Sequence, residues 1–141
     1  MKLAFTSFPL EKNLEAKKEL EKKYGTHKPE DADIIVALGG DGFVLKSLHE
    51  YLKLSKPIFG MNFGSVGFLM NSHSTENLEE RIEKAQLLKL KPLIMKTINP
   101  TGQEVRALAI NEVSIRREKY QAAKLKIEID GVTRMEELVC D

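Results

Sequence analysis

At 141 residues the chain is long enough for one ordinary domain and part of another, and its 42% apolar and 30% charged content is that of a globular protein with a real core. A net charge of +1, with lysines and glutamates interleaved, excludes a broad electrostatic pull toward nucleic acid or an anionic membrane. The single cysteine, Cys140, rules out an internal disulfide, no apolar run is long enough for a membrane helix, and no signal-peptide pattern opens the chain, so a cytoplasmic location is expected.

In chain order, Leu3-Ala4-Phe5 predicts a short first strand. Residues 9–24 predict a helix, with Leu10, Leu14, Leu20 and Tyr24 on one face, Pro9 in the first turn and Gly25 at the C-terminal cap. After Asp33 the chain is continuously apolar to Leu38, the pattern of a strand covered on both faces in a parallel sheet. Gly39-Gly40-Asp41-Gly42 follows at once. A helix over 43–52 carries Val44, Leu45, Leu48, Tyr51 and Leu52 as its apolar set. Pro57 introduces a strand at Ile58-Phe59-Gly60-Met61, and a glycine-spaced segment runs from Asn62 to Leu69. Ser74 or Thr75 is the expected cap of a helix reaching Ala85.

The pattern changes at Pro92. Strands are predicted over 93–98, 104–110 and 113–117, with a turn at Asn99-Pro100-Thr101-Gly102. Lys124 to Ile129 alternates, and Asp130-Gly131 is a two-residue hairpin signal leading to a return strand with Met135, Leu138 and Val139. The expected architecture is therefore an α/β domain over 1–92, built on an open and largely parallel sheet, followed by the start of an antiparallel β domain over 93–141. An antiparallel half of this size leaves an unpaired edge, so further chain or a subunit contact is expected to cover it.

The order strand, Gly-Gly-Asp-Gly, helix carries chemistry. Two glycines allow a sharp turn and a close approach to a ligand. The helix N-terminus offers free N–H groups and a positive dipole end to phosphate. Asp41 would repel phosphate but can accept a hydrogen bond from a sugar hydroxyl. A carboxylate among phosphate-friendly amides fits phosphoryl transfer to such a hydroxyl, with Asp41 as proton acceptor. The plainer alternative is a tight turn with a helix-capping aspartate. A second glycine loop, Gly60, Gly64 and Gly67 around Asn62, leads to Phe68 and Leu69 directly after the neighbouring strand. Two such loops at adjacent strand ends face one crevice, where open α/β sheets bind ligands.

Leu38-Gly39-Gly40-Asp41-Gly42, then Gly60-Met61-Asn62-Phe63-Gly64-Ser65-Val66-Gly67-Phe68-Leu69, then Ala109-Ile110-Asn111-Glu112-Val113 resembles the bacterial NAD kinases in order and spacing. The tail from Met135 to Asp141 resembles that family's approach to a further aspartate-glycine segment. The resemblance implies transfer of the ATP γ-phosphate to the 2′-hydroxyl of the adenosine ribose of NAD⁺, with magnesium arriving on ATP and no metal site in the chain. It makes Asp41 the proton acceptor and sets Asp41 and Gly42 against NAD⁺. Asn111 and Glu112 become contacts to the adenosine portion, and Lys46 and Lys124 basic ligand positions. Asp141 would reach NAD⁺ from a neighbouring subunit, so a homo-oligomer is implied. Phe68 either flanks the ligand or anchors its loop in the core. Val139, where the family often has arginine, and Phe63, where it has a polar residue, depart from the pattern.

Two consequences follow. Adjacent strand residues point to opposite faces, so Asn111 and Glu112 share one ligand only if the strand ends or bulges there. The family's later glycine-rich stretch, which completes the nucleotide pocket, is absent from these 141 residues, so weak or no turnover is expected of this chain alone. The alternatives are an NAD⁺-binding module without catalysis, and a kinase of the same superfamily acting on a lipid or sugar hydroxyl. His27, His49 and His73 lack metal-ligand spacing, and Cys140 is expected to be a buried small hydrophobe.

Overall fold

Strand order follows chain order. The computed structural model describes residues 1–63, 67–118 and 120–140. Strands β1 (Leu3–Ser7), β2 (Ile34–Leu38), β3 (Ile58–Asn62) and β4 (Asn71–Ser72) form one parallel sheet in the order β1-β2-β3-β4. Helix α1 (Glu11–Tyr24) lies between β1 and β2, α2 (Asp41–Glu50) between β2 and β3, and α3 (Leu78–Glu83) follows β4. A single 3₁₀ turn at Leu52–Leu54 extends α2.

The continuous apolar run does what a doubly covered strand must. Ile35, Val36, Ala37 and Leu38 are all fully buried. Val36 and Leu38 face Leu3, Phe5, Phe59 and Met61 together with Ala16 and Leu20 of α1 and Leu78 and Ile82 of α3. Ile35 points the other way, to Ala4 and Ala32, with Tyr51, Leu54 and Ile58 against them. This alternation of one strand between two layers is the period-2 geometry of a pleated sheet.

Two helix expectations are corrected. The buried face of α1 is Asn13, Ala16 and Leu20, while Leu10 and Leu14 are exposed. Asn13 is buried with its side-chain amide donating to the Phe8 carbonyl (3.4 Å), which also accepts from the Leu10 amide (2.7 Å). Gly25 does take the positive φ of a C-terminal cap (73°). Helix α3 begins later than expected, after Asn77, with no side-chain cap. Ser74 instead accepts from the Glu76 amide, and Thr75 gives its carbonyl to the Tyr24 hydroxyl (3.1 and 2.8 Å).

The chain divides into two compact units, Met1–Asn111 and Glu112–Asp141. The first also holds the antiparallel pair β5 (Leu93–Ile98) and β6 (Glu104–Ala109). Its turn is built by Asn99, whose side-chain oxygen accepts from the Thr101 and Gln103 amides, and by Gly102 at φ 83°. The second unit is the hairpin β7 (Ala123–Ile129) and β8 (Val132–Cys140). Asp130 and Gly131 both have positive φ (52° and 76°), the backbone of a type I′ turn. Residues 113–117 form no strand, and Cys140 is half-exposed rather than buried. Among the described residues no helix is long and apolar enough to cross a membrane.

Candidate functional site

The C-terminal ends of β1, β2 and β3 are tied side by side. The Phe8 amide donates to the Leu38 carbonyl (2.8 Å), and the Gly39 amide donates to the Met61 carbonyl (3.0 Å). At this edge the chain leaves β2 through Gly39 and Gly40 and enters α2 at Asp41. Gly39 has no room for a side chain, because Phe43 folds back to 2.8 Å from where a Cβ would stand. Phe43 in turn meets the ring of Phe8 edge-on (6.0 Å). No described residue lies within 4 Å of where a Cβ on Gly40 or Gly42 would stand.

Asp41 does not cap its helix. Gly40 is the N-cap residue, and among the described residues no side chain caps α2. The Asp41 carboxylate instead accepts from the second glycine loop: the Phe68 amide donates to Oδ2 at 2.9 Å and the Leu69 amide to Oδ1 at 3.0 Å. Gly67 makes this possible, since a Cβ there would lie 2.4 Å from Oδ1 and 2.6 Å from Oδ2. The two glycine loops therefore meet on one carboxylate, whose position is set by two main-chain donors. Each oxygen keeps a further lone pair for another donor.

The ring of Phe68 is fully exposed, so the core-anchor alternative falls, and the loop is fixed through its main chain. Gly64, Ser65 and Val66 lie outside the described residues. Next to the loop, Phe63 stacks on His73 (centroids 3.8 Å apart, 25° between planes), and the Lys12 ammonium lies 5.8 Å from the Phe63 centroid. Burial holds the His73 imidazole below its usual pKa, Glu19 opposing and Arg81 adding to the shift. Its Nε2 is buried, with no hydrogen-bond partner among the described residues.

The other predicted residues are less concentrated. Gly42 is exposed in the first turn of α2. Lys46 is exposed on the same helix, beyond the i+4 position that shares Asp41's face. Strand β6 ends at Ala109, so Asn111 and Glu112 follow the strand rather than sit in it, which removes the opposite-face conflict. Both are exposed. Lys124, in β7 of the second unit, pairs with Glu137 across the hairpin (3.1 Å). Asp141 lies outside the described residues. What the sequence left unseen is the Phe68 and Leu69 amides; the one signal of them was Gly67, a glycine where no turn demanded one.

The family model for the ATP-NAD kinase N-terminal domain matches residues 2–86, the stretch that holds the parallel sheet and both glycine loops. The chain is 52% identical over 139 residues to an NAD kinase of Rhizobium meliloti (strain 1021), covering 99% of this chain and 54% of that protein. It is equally similar, with the same coverage, to an NAD kinase of Brucella suis biovar 1 (strain 1330). An NAD kinase of Caulobacter vibrioides is 52% identical over 140 residues. The chain thus spans about half the length of the curated relatives it matches.

Proposed function

The chain belongs to the NAD kinase family, and on that footing we propose that it carries the NAD⁺-binding side of an enzyme that phosphorylates the 2′-hydroxyl of the adenosine ribose of NAD⁺ to give NADP⁺. The observation that carries this reading is the Asp41 carboxylate, held by the Phe68 and Leu69 amides at the meeting of the two glycine loops. A carboxylate fixed by two donors keeps its orientation without spending its remaining lone pairs. Those lone pairs can take the ribose hydroxyl proton while the sugar oxygen forms its bond to the γ-phosphorus and the bond to the ADP oxygen breaks. Magnesium enters with ATP as part of the donor substrate and neutralises phosphate charge.

Around that centre, Gly42 sets its main chain at the start of α2 with no described residue against the side where a Cβ would stand. The exposed ring of Phe68 is a stacking surface for NAD⁺. Lys46, Asn111, Glu112, Lys124 and Asp141 are proposed as further NAD⁺ contacts, Asp141 from a neighbouring copy in a homo-oligomer. We also assign the protein to the cytoplasm, in keeping with its lone cysteine.

The test is Asp41→Asn with NADP⁺ formation as readout. Turnover is expected to fall ~10²- to 10⁴-fold, the usual scale for a general base, while calorimetric NAD⁺ affinity changes little. Unchanged turnover removes Asp41 from the chemistry. A second reading, NAD⁺ binding without turnover, rests on the chain spanning about half of its relatives; heat of NAD⁺ binding with no NADP⁺ formed selects it.

A further inference from the structure

The amides on Asp41 need something to hold them. The Phe68 side chain is fully exposed and anchors nothing. The turn does lie tightly on β3: a Cβ on Gly60 would come within 2.9 Å of the Leu69 carbonyl oxygen and the Met70 sulfur. Immediately after the turn, the Asn71 side-chain amide donates to the Gly60 carbonyl at 3.1 Å. That bond spans β3 and β4 where Met61 pairs with Asn71. Downstream, the Arg81 guanidinium donates to the carbonyls of Ser72 and Ser74 (3.0 Å for the latter) and lies over the Phe59 ring. The Tyr24 hydroxyl fixes Thr75 and accepts from the Leu78 amide. The segment after the turn is thus firmly mounted, and Asn71 is the side chain that fastens the turn itself to the sheet.

We infer that Asn71 is a positioning residue for Asp41: its hydrogen bond to the Gly60 carbonyl holds the Phe68–Leu69 turn at the height where both amides reach the carboxylate. The bond acts across a very short β4, which contributes only the pairs Met61–Asn71 and Asn62–Ser72. Beside it, the described ties to β3 are the packing of Leu69 and Met70 on Gly60, these two pairs and the His73 amide on the Asn62 carbonyl (3.0 Å). The consequence for catalysis rests on the reading of Asp41 as proton acceptor; the mechanical claim does not.

The test uses the full 141-residue chain with Asn71→Asp, which keeps the shape and removes the donor, and Asn71→Ser, which keeps a shorter donor. Amide hydrogen exchange is followed at Phe68 and Leu69, with Val36 and Leu38 of β2 as the fold control. In Asn71→Asp the two turn amides are expected to exchange at least ~10-fold faster while β2 stays protected, with Asn71→Ser in between. Asp41→Asn should give the same acceleration, and the double variant no more than either alone, since both break one connected unit. NADP⁺ formation should lose ~10- to 100-fold in kcat, the scale of an ångström-sized misplacement, with KM for NAD⁺ nearly unchanged.

Unchanged exchange at Phe68 and Leu69 overturns the inference whatever the kinetics, and so does loss of β2 protection in both variants, which makes Asn71 a general structural residue. Faster turn exchange with undiminished kcat overturns the positioning role. Faster turn exchange in a chain whose unsubstituted form makes no NADP⁺ upholds the brace and counts against the kinase reading instead.

Discussion

Strands β2 and β7 are both rich in isoleucine and leucine, and they bury them very differently. In β2 the apolar residues are consecutive and lie between helices on both faces of the sheet. In β7 they alternate with Lys124, Lys126 and Glu128, and the hairpin has one apolar and one ionic side. Leu125 pairs with Leu138, Ile127 with Met135 and Ile129 with Val132, with register shifts between them. Ile129 remains 53% exposed, where Leu38 is at 0%. The fold's stability lies in the sheet: a two-stranded hairpin is marginal in water, whereas a doubly covered parallel sheet carries a core. The candidate site stands on the sheet.

The largest effect expected from this contrast is on stability. Leu38→Ala removes a fully buried side chain beside the glycine loop and should cost ~2–5 kcal/mol in denaturant unfolding. Ile129→Ala, half-exposed at the hairpin end, should cost less than ~1 kcal/mol. Equal costs would erase the contrast and show that the apolar side of the hairpin is covered in solution.

The next effect is on the site and should leave stability nearly untouched. Gly67→Ala places a methyl group where the Asp41 carboxylate lies. Something must shift, and the group in the way is the carboxylate that the Phe68 and Leu69 amides hold. NADP⁺ formation should drop ~100-fold, as for other small misplacements of a reacting group, with a melting temperature close to that of the parent. An active Gly67→Ala variant would show that the held geometry is not the working one.

The same contrast explains how much was legible in the sequence. The run from Ile34 to Leu38 announced a doubly buried strand because no polar residue interrupts it. Asp130-Gly131 announced its hairpin because few residues other than glycine and aspartate or asparagine accept positive φ. Glycine spacing and an aspartate likewise announced a site at the sheet edge. Signals failed where backbone, not side-chain character, decides. Asn13 is buried with its side-chain amide on the Phe8 carbonyl, while Leu14 is exposed. Strand β4 is too short to carry a pattern. Val113 and Ile115 alternate like a strand, yet no strand forms there and both are exposed. The Phe68 and Leu69 amides carry no side-chain signature at all.

A smaller effect should distinguish the sheet from the hairpin by pH. Burial keeps His73 below the ordinary histidine range, with Glu19 and Lys12 on α1 and Arg81 on α3 as the charged groups around the Phe63–His73 stack. The unfolded chain therefore takes up a proton at higher pH than the folded one. Stability is full above the unfolded pKa, ~6.5, and falls as the pH drops from there through the lowered folded value. His73→Phe, which keeps a ring against Phe63, should flatten that part of the melting-temperature profile. A profile unchanged by the substitution would mean that His73 is freely hydrated.

The smallest stability effect concerns Lys124 and Glu137, an exposed pair on the ionic side of the hairpin. Such pairs contribute ~0–1 kcal/mol, because water screens the attraction and two long side chains lose freedom. Glu137→Gln should therefore barely change unfolding. For the same reason Lys124 can leave Glu137 for a ligand at little cost to the fold. If Lys124 contacts NAD⁺, Lys124→Ala lowers NAD⁺ affinity in calorimetry while Glu137→Gln, which frees the ammonium, leaves it equal or raises it. Equal affinity in parent and Lys124→Ala would leave the lysine as surface charge and confine the site to the sheet edge around Asp41.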